Sequence, residues 1–268
     1  QEPPSAASAP GSVDSPIDRA FDLLLAGEIE PALRWSAAVV RSAPEGPMGL
    51  LLTGRALASL GREQSARQAL RMALDRALDA GSLPLAMAAC LHLREFGEDP
   101  QADLDVLART FACDSDRLLQ EGARPPRMPG ESDELRPLAA ALGGEALIEE
   151  VQELLKEAQQ WSESQRPKGG KRSGVAPQAL FSSLDVAGLR AMLGILDVLS
   201  VPAGRVLVQE GTPGAEAYVV ARGEVAIPFN KAGAVKKPMG VGRGLSTKVN
   251  ANLGTSRDYA DVDVELAK

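Results

Sequence analysis

Apolar residues return every three to four positions through the first hundred or so residues. Phe21, Leu24 and Leu25 form one such set, and Leu70, Leu74 and Leu78 another. That spacing gives a helix one apolar stripe and predicts a run of amphipathic helices. Residues 122–137 (GARPPRMPGESDELRP) interrupt the period with Pro and Gly and predict a connector. The helical period returns over 138–161, with Ile148, Val151, Leu154 and Leu155 on one face. From residue 179 the texture changes again. LDVAGLRAMLGIL predicts a short helix, and β-type runs follow at 205–209, 217–221 and 224–227, separated by Gly and Pro.

A register is superimposed on the first pattern. Gly27, Gly61 and Gly97 recur at intervals of 34 and 36 residues, and each is followed five residues later by an alanine: Ala32, Ala66 and Ala102. The residue seven before each glycine is small: Ala20, Gly54 and Cys90. Such a glycine ends the first helix of a pair in a backbone conformation that other residues adopt at a cost. The alanine opens the packed face of the second helix, where a small side chain lets two helices approach closely. This stretch, about residues 15–112, resembles the tetratricopeptide repeat family, although the large aromatics of its consensus are missing. A generic Ala/Leu helical bundle with accidental register is the alternative, and both give stacked antiparallel helices. The resemblance implies a surface that holds a protein or peptide and has no chemistry of its own.

Composition narrows the functional classes. The chain has 268 residues, 44% of them hydrophobic and 3% aromatic, so Ala and Leu carry the apolar mass and favour helices. A net charge of −7 argues against a nucleic-acid or anionic-membrane binder, because phosphate contacts need clustered Lys and Arg. The one basic stretch, 166–172 (RPKGGKR), lacks interleaved aromatics for base stacking and reads as a solvated linker. No apolar run is long enough to span a membrane. The two cysteines, Cys90 and Cys113, do not form a CxxC pair and read as small apolar residues of a reduced, cytoplasmic chain. His92 is the only histidine, so a zinc site or a His-based triad lacks its parts and a structural role is expected.

Residues 179–227 are similar to the opening of the cyclic-nucleotide-binding fold. The matching elements are Leu180-Phe181, Pro202-Ala203-Gly204, Glu210-Gly211, Tyr218-Val219-Val220 and Gly223-Glu224-Val225. The family holds its ligand with a Gly-Glu, a short helix and an Arg, the Glu on the ribose and the Arg on the cyclic phosphate. Nothing after Val225 has that form, and Arg205 and Arg222 do not stand in cassette positions. Cyclic-nucleotide binding is therefore not expected.

From about Gly223 to the last residue the chain looks like the N-terminal region of the phosphomethylpyrimidine synthase family, radical enzymes of thiamine biosynthesis. Ile227-Pro228, Pro238-Met239-Gly240-Val241-Gly242, the string 248–256 (KVNANLGTS) and the acidic run at 258–262 carry the resemblance. It implies that Asn252 is a substrate-binding amide; a structural reading is that Asn250 and Asn252 tie a turn through side-chain-to-backbone bonds. The family's barrel, metal-binding histidines and Cys triplet are expected further along. An iron–sulfur cluster and S-adenosylmethionine are thus expected only if a full synthase follows Lys268. The two resemblances meet within 220–227, which suggests two joined reading frames or genes, with a natural fusion or a decayed module as alternatives; the initial Gln and the ending in mid-pattern suggest a fragment of something longer.

The expected fold is mainly α: a flexible tail (1–14), tetratricopeptide-like helical repeats (15–112), a helical connector with the basic linker (113–178), an incomplete β-roll (179–227) and a poorly ordered tail (228–268). The expected function is a protein–protein interaction adaptor carrying a truncated cyclic-nucleotide sensor. The alternative is a fragment joined to the N-terminal region of the synthase without its catalytic barrel.

Overall fold

Ser15 starts the first helix: its hydroxyl accepts the amide of Asp18 at 3.2 Å, and Pro16, with no amide to leave unpaired, takes the first helical position. A computed structural model describes residues 15–119, 135–165, 174–178, 180–202, 204–208, 217–226, 246–249 and 264–267. Among them the protein is mainly helical. Six helices follow one another closely: α1 (Pro16–Leu25), α2 (Ile29–Ser42), α3 (Pro47–Ser59), α4 (Glu63–Asp79), α5 (Leu83–Arg94) and α6 (Gln101–Phe111).

Short turns make each helix fold back on the one before it. At the α3–α4 turn Gly61 has φ +71°, its amide donates to Ala58 O at 2.9 Å, and the Arg62 amide reaches back to Leu57 O at 2.9 Å. This pair of bonds satisfies the last carbonyls of α3 and needs the left-handed conformation that glycine adopts freely. Gly27 repeats the pattern after α1, and so does Gly81 after α4, a turn outside the 34-residue register. Gly97 also has positive φ, +76°.

Small residues set the helix spacing. A side-chain carbon on Gly54 of α3 would lie 2.8 Å from Leu70 Cγ and 3.2 Å from Ala66 O of α4, so the two helices touch where the register places its small residues. Ala20, Ala32, Ala66 and Cys90 are buried as well. The third copy departs from this. Ala102 is exposed, and Leu104 takes the buried position. The cause is the connector: α2 and α4 start two residues after their glycines, whereas α6 starts four after Gly97. Two extra residues leave Ala102 in the first turn of α6, turned away from the packed face.

α1, α3 and α5 adjoin one another in one layer, and α2 and α4 pack alongside them. A long helix, α7 (Gly144–Gln165), lies across α2 and α4, so the connector's helix belongs to the helical core. Arginines hold it there. Arg34 donates to Leu142 O at 2.6 and 3.0 Å. Arg76, 7% exposed, donates to Pro44 O at 3.2 Å and Ala158 O at 3.1 Å and stacks on Trp161. The helical period expected from Leu138 begins only at Gly144; Leu138 itself is buried, its amide bonded to Arg34 O at 3.2 Å.

The β-rich part begins after α8 (Val186–Gly194), which Asp185 caps by accepting the Gly188 amide at 2.7 Å. Strands β1 (Leu196–Leu199), β2 (Val206–Val208), β3 (Ala217–Val220), β4 (Glu224–Ala226), β5 (Ser246–Val249) and β6 (Val264–Ala267) form two antiparallel three-stranded sheets, ordered β1-β5-β3 and β2-β6-β4. β1 takes the place where the sequence pattern extends the preceding helix: LDVL alternates a buried Leu196 with an exposed Asp197. The poorly ordered tail expected beyond 227 falls largely outside the described residues. The two stretches of it that are described are strands, each lying between two others and pairing their edges.

The β-rich part meets the α1/α3/α5 layer at both ends. Arg222, just after β3, donates to Asp18 Oδ1 at 2.7 Å and Ser15 Oγ at 2.9 Å at the start of α1. Arg94, at the end of α5, donates to Asp197 of β1 at 2.8 Å.

Candidate functional site

α3 is apolar nearly all round, as suits a helix packed on several sides. Within its sequence PMGLLLTGRALAS the single charge is Arg55. The guanidinium carbon lies 5.6 Å from the centre of the Phe21 ring, which α1 contributes. The terminal nitrogen Nη1 is shut off from solvent and has no hydrogen-bond partner among the described residues. Burial pulls the Arg55 pKa below its ordinary value, against the opposing pull of Glu95.

Glu95 caps the C-terminus of α5 and accepts a bond from the ring of His92, whose Nδ1 lies 3.2 Å from Glu95 Oε1. That bond is the main reason the Glu95 carboxyl titrates below the usual carboxylate range, with the charges of His92, Arg55 and Arg94 adding to it against the effect of burial. With Nδ1 committed to Glu95, the other ring nitrogen, Nε2, is buried and unpartnered among the described residues. His92 is 9% exposed, so the structural role expected of it accounts for one nitrogen and leaves the other. Arg55, His92, Glu95 and Phe21 thus belong to one layer, α1/α3/α5. The sequence signal for Arg55 was a lone charge inside an apolar helix.

The residues singled out by the sequence lie elsewhere. Gly27, Gly61 and Gly97 form turns, and Ala32 and Ala66 are packed. Gly204, φ +79°, precedes β2; Gly223, φ +118°, lies between β3 and β4. Tyr218 is half-buried in β3, and Glu224 begins β4, in register with Ala267. Glu210, Gly211 and Asn252 lie outside the described residues. Arg222 is committed to Asp18 and Ser15.

No group of three or more His, Cys, Asp or Glu able to hold a metal occurs among the described residues. An iron–sulfur cluster is held by several thiolates, and the chain has only Cys90, buried in α5, and Cys113, exposed after α6. The residues present do not fit such a cluster. Among the described residues no helix is long and apolar enough to cross a membrane.

Comparison with known proteins gives one region of likeness. The Radical SAM ThiC family matches residues 208–268. Phosphomethylpyrimidine synthase of Moorella thermoacetica is 61% identical over 49 residues, 18% of this chain and 11% of that protein. Phosphomethylpyrimidine synthase 2 of Methanosarcina barkeri is 53% identical over 49 residues, again 18% and 11%, and the Pelotomaculum thermopropionicum enzyme is 50% identical over 50 residues, 19% and 12%. The chain therefore spans about a tenth of the length of the curated relatives it matches. No solved structure matches. The likeness starts earlier than the expected Gly223 and takes in β3 to β6. Each three-stranded sheet therefore draws two strands from the matched segment: β5 and β3 beside β1, β6 and β4 beside β2.

Proposed function

We propose that this chain joins a helical binding unit to a segment from the N-terminal region of a phosphomethylpyrimidine synthase. In this reading the segment takes part in that enzyme's architecture and runs no chemistry by itself. The observation that carries it is the 61% identity over 49 residues to the Moorella thermoacetica enzyme, against a helical part with a different residue pattern. Asn252 is then a substrate-facing amide, able both to donate and to accept. The test is a transplant of the matched segment into the Moorella thermoacetica enzyme in place of its own. The hybrid is expected to form the phosphomethylpyrimidine product, and Asn252→Ala in the hybrid to lose most of that activity. A folded hybrid that is inactive before any substitution would contradict the reading.

A second reading concerns the helical unit and rests on a different observation. Helix pairs closed by Gly27 and Gly61, layered as α1/α3/α5 against α2/α4, support a tetratricopeptide-type unit that binds a protein or peptide on the α1/α3/α5 side. α7 covers the other layer, whereas the β-rich part touches this one where Arg222 meets Ser15 and Asp18 and where Arg94 meets Asp197. The truncated cyclic-nucleotide sensor has weaker support, because two of the four strands within 179–227, β3 and β4, lie in the segment that resembles the synthase.

A further inference from the structure

We propose that the backbone at 117–119, just beyond α6, is a receiving site for an extended peptide of the pattern Gly-Val-Ala-Pro. In this structure the chain's own residues 174–178 fill it as a displaceable clasp. The pairing is parallel and reciprocal: the Val175 amide donates to Arg117 O at 2.8 Å, and the Leu119 amide donates to Val175 O at 2.9 Å. Contacts that do not involve the clasp hold the site in place. The Arg117 amide donates to Ser115 Oγ and the Leu118 amide to Ser115 O, both at 3.2 Å. The Arg117 guanidinium donates to Leu78 O at 3.2 Å, in the last turn of α4. Main-chain pairing of this kind gives a peptide site its affinity, and the surroundings of the side chains give it specificity.

The contacts of the clasp define that pattern. Val175 is fully buried, and a side-chain carbon on Gly81 would come 3.2 Å from Val175 Cγ1, so the glycine that falls outside the repeat register makes room for the valine. A side-chain carbon on Gly174 would lie 2.8 Å from Leu119 Cγ and 3.3 Å from Arg117 O, so a glycine precedes the valine. Ala176 is buried as well, and Pro177, with no amide to donate, ends the pairing. The hold is small: a single isolated bridge, in the parallel geometry that is the weaker per residue. A tethered segment competes at an effective concentration on the order of millimolar, which a free peptide can reach. Leu119, 42% exposed, offers apolar surface beside the clasp to a partner that carries more than these four residues. The site rests on neither reading given above.

The probe is the blocked hexapeptide Ser-Gly-Val-Ala-Pro-Gln, added to the full chain while hydrogen exchange of single amides is read by NMR. Displacement has a signature that a purely structural clasp lacks. The Val175 amide loses its acceptor and exchanges faster, whereas the Leu119 amide finds the same carbonyl in the peptide and stays protected. In the unmodified chain this is expected at peptide concentrations on the order of millimolar. Val175→Ala loosens the clasp, and the same change at position 175 is expected there at concentrations at least about tenfold lower. Circular dichroism checks that the variant stays helical. Peptides with Asp in place of Val, or Val in place of Gly, should act at least about tenfold more weakly than the parent peptide. Unchanged protection at position 175 in both chains at about 10 mM peptide would overturn the proposal. So would loss of protection at 175 and 119 together, or an equal effect of the Asp peptide.

Discussion

The helical part and the β-rich part are held together in different ways. In the helical part the most extensive contacts are made between neighbours in sequence: α1 on α2, α2 on α3, α3 on α4, α4 on α5. Leu50, Leu51, Leu52, Leu57 and Leu70 are all essentially inaccessible to solvent. In the β-rich part the strands are three or four residues long, Leu196 is the one strand residue that is buried among those described, and Val206 is 51% exposed. β1 and β3 meet only through β5, some fifty and thirty residues away along the chain. Local pairing of well-filled helices accumulates stability turn by turn. Short strands joined over long loops depend on distant residues, and each loop closure costs entropy. The difference also follows the comparison with known proteins, since β3 to β6 lie in the synthase-like segment and the helices do not.

The sharpest chemical contrast lies between the interior of the helical part and its edge. Cys90, inside α5, is kept from solvent, and desolvation pushes its thiol up to about 12, whereas Cys113 is exposed beyond α6. Iodoacetamide at pH 8 should alkylate Cys113 within minutes and leave Cys90 untouched until the chain unfolds, as mass spectrometry of the peptides will show. The sign of the pH effect follows. A thiol whose pKa is raised on folding stabilises the protein below its unfolded pKa, near 9. That contribution is lost as pH climbs from about 9 through about 12. Denaturant titrations should therefore show stability falling across that window, and Cys90→Ala should remove this part of the fall.

Packing gives the next largest effect. Leu70→Ala leaves a hole between α3 and α4 and should cost about 2–5 kcal/mol in urea unfolding followed by helical circular dichroism. Gly54→Ala tests the same contact from the other side. The added carbon meets Leu70 Cγ and the Ala66 carbonyl, so a loss of about 1–3 kcal/mol is expected. The smallest effect belongs to the β-rich part. Val206→Ala should change the same transition by less than about 0.5 kcal/mol, because its side chain is already half in water.

The helices were legible because their signals are local. Apolar spacing and the glycines at 27 and 61 each act within one or two turns. Gly81 used the same turn chemistry and was passed over because it falls outside the 34-residue period. Ala102 was misplaced because a period counts residues and does not register a connector lengthened by two. α7 could be read as a helix, but not as a cover for α2 and α4, because Arg34 and Arg76 meet partners more than eighty residues away. The candidate site was hidden for the same reason. Arg55, His92 and Phe21 come from three helices, and nothing within any one of them shows that two nitrogens will be left unpaired.

The claim that the helical unit is the stable body, with the β-rich part resting on it, is tested most directly by hydrogen exchange on the full chain. Amides of α3 and α4 should exchange at least about a hundredfold more slowly than those of β1 to β4, since the helices open only with global unfolding and the short strands open locally. Equal protection of β1 and β3 with α3 and α4 would show one cooperative unit and contradict the account.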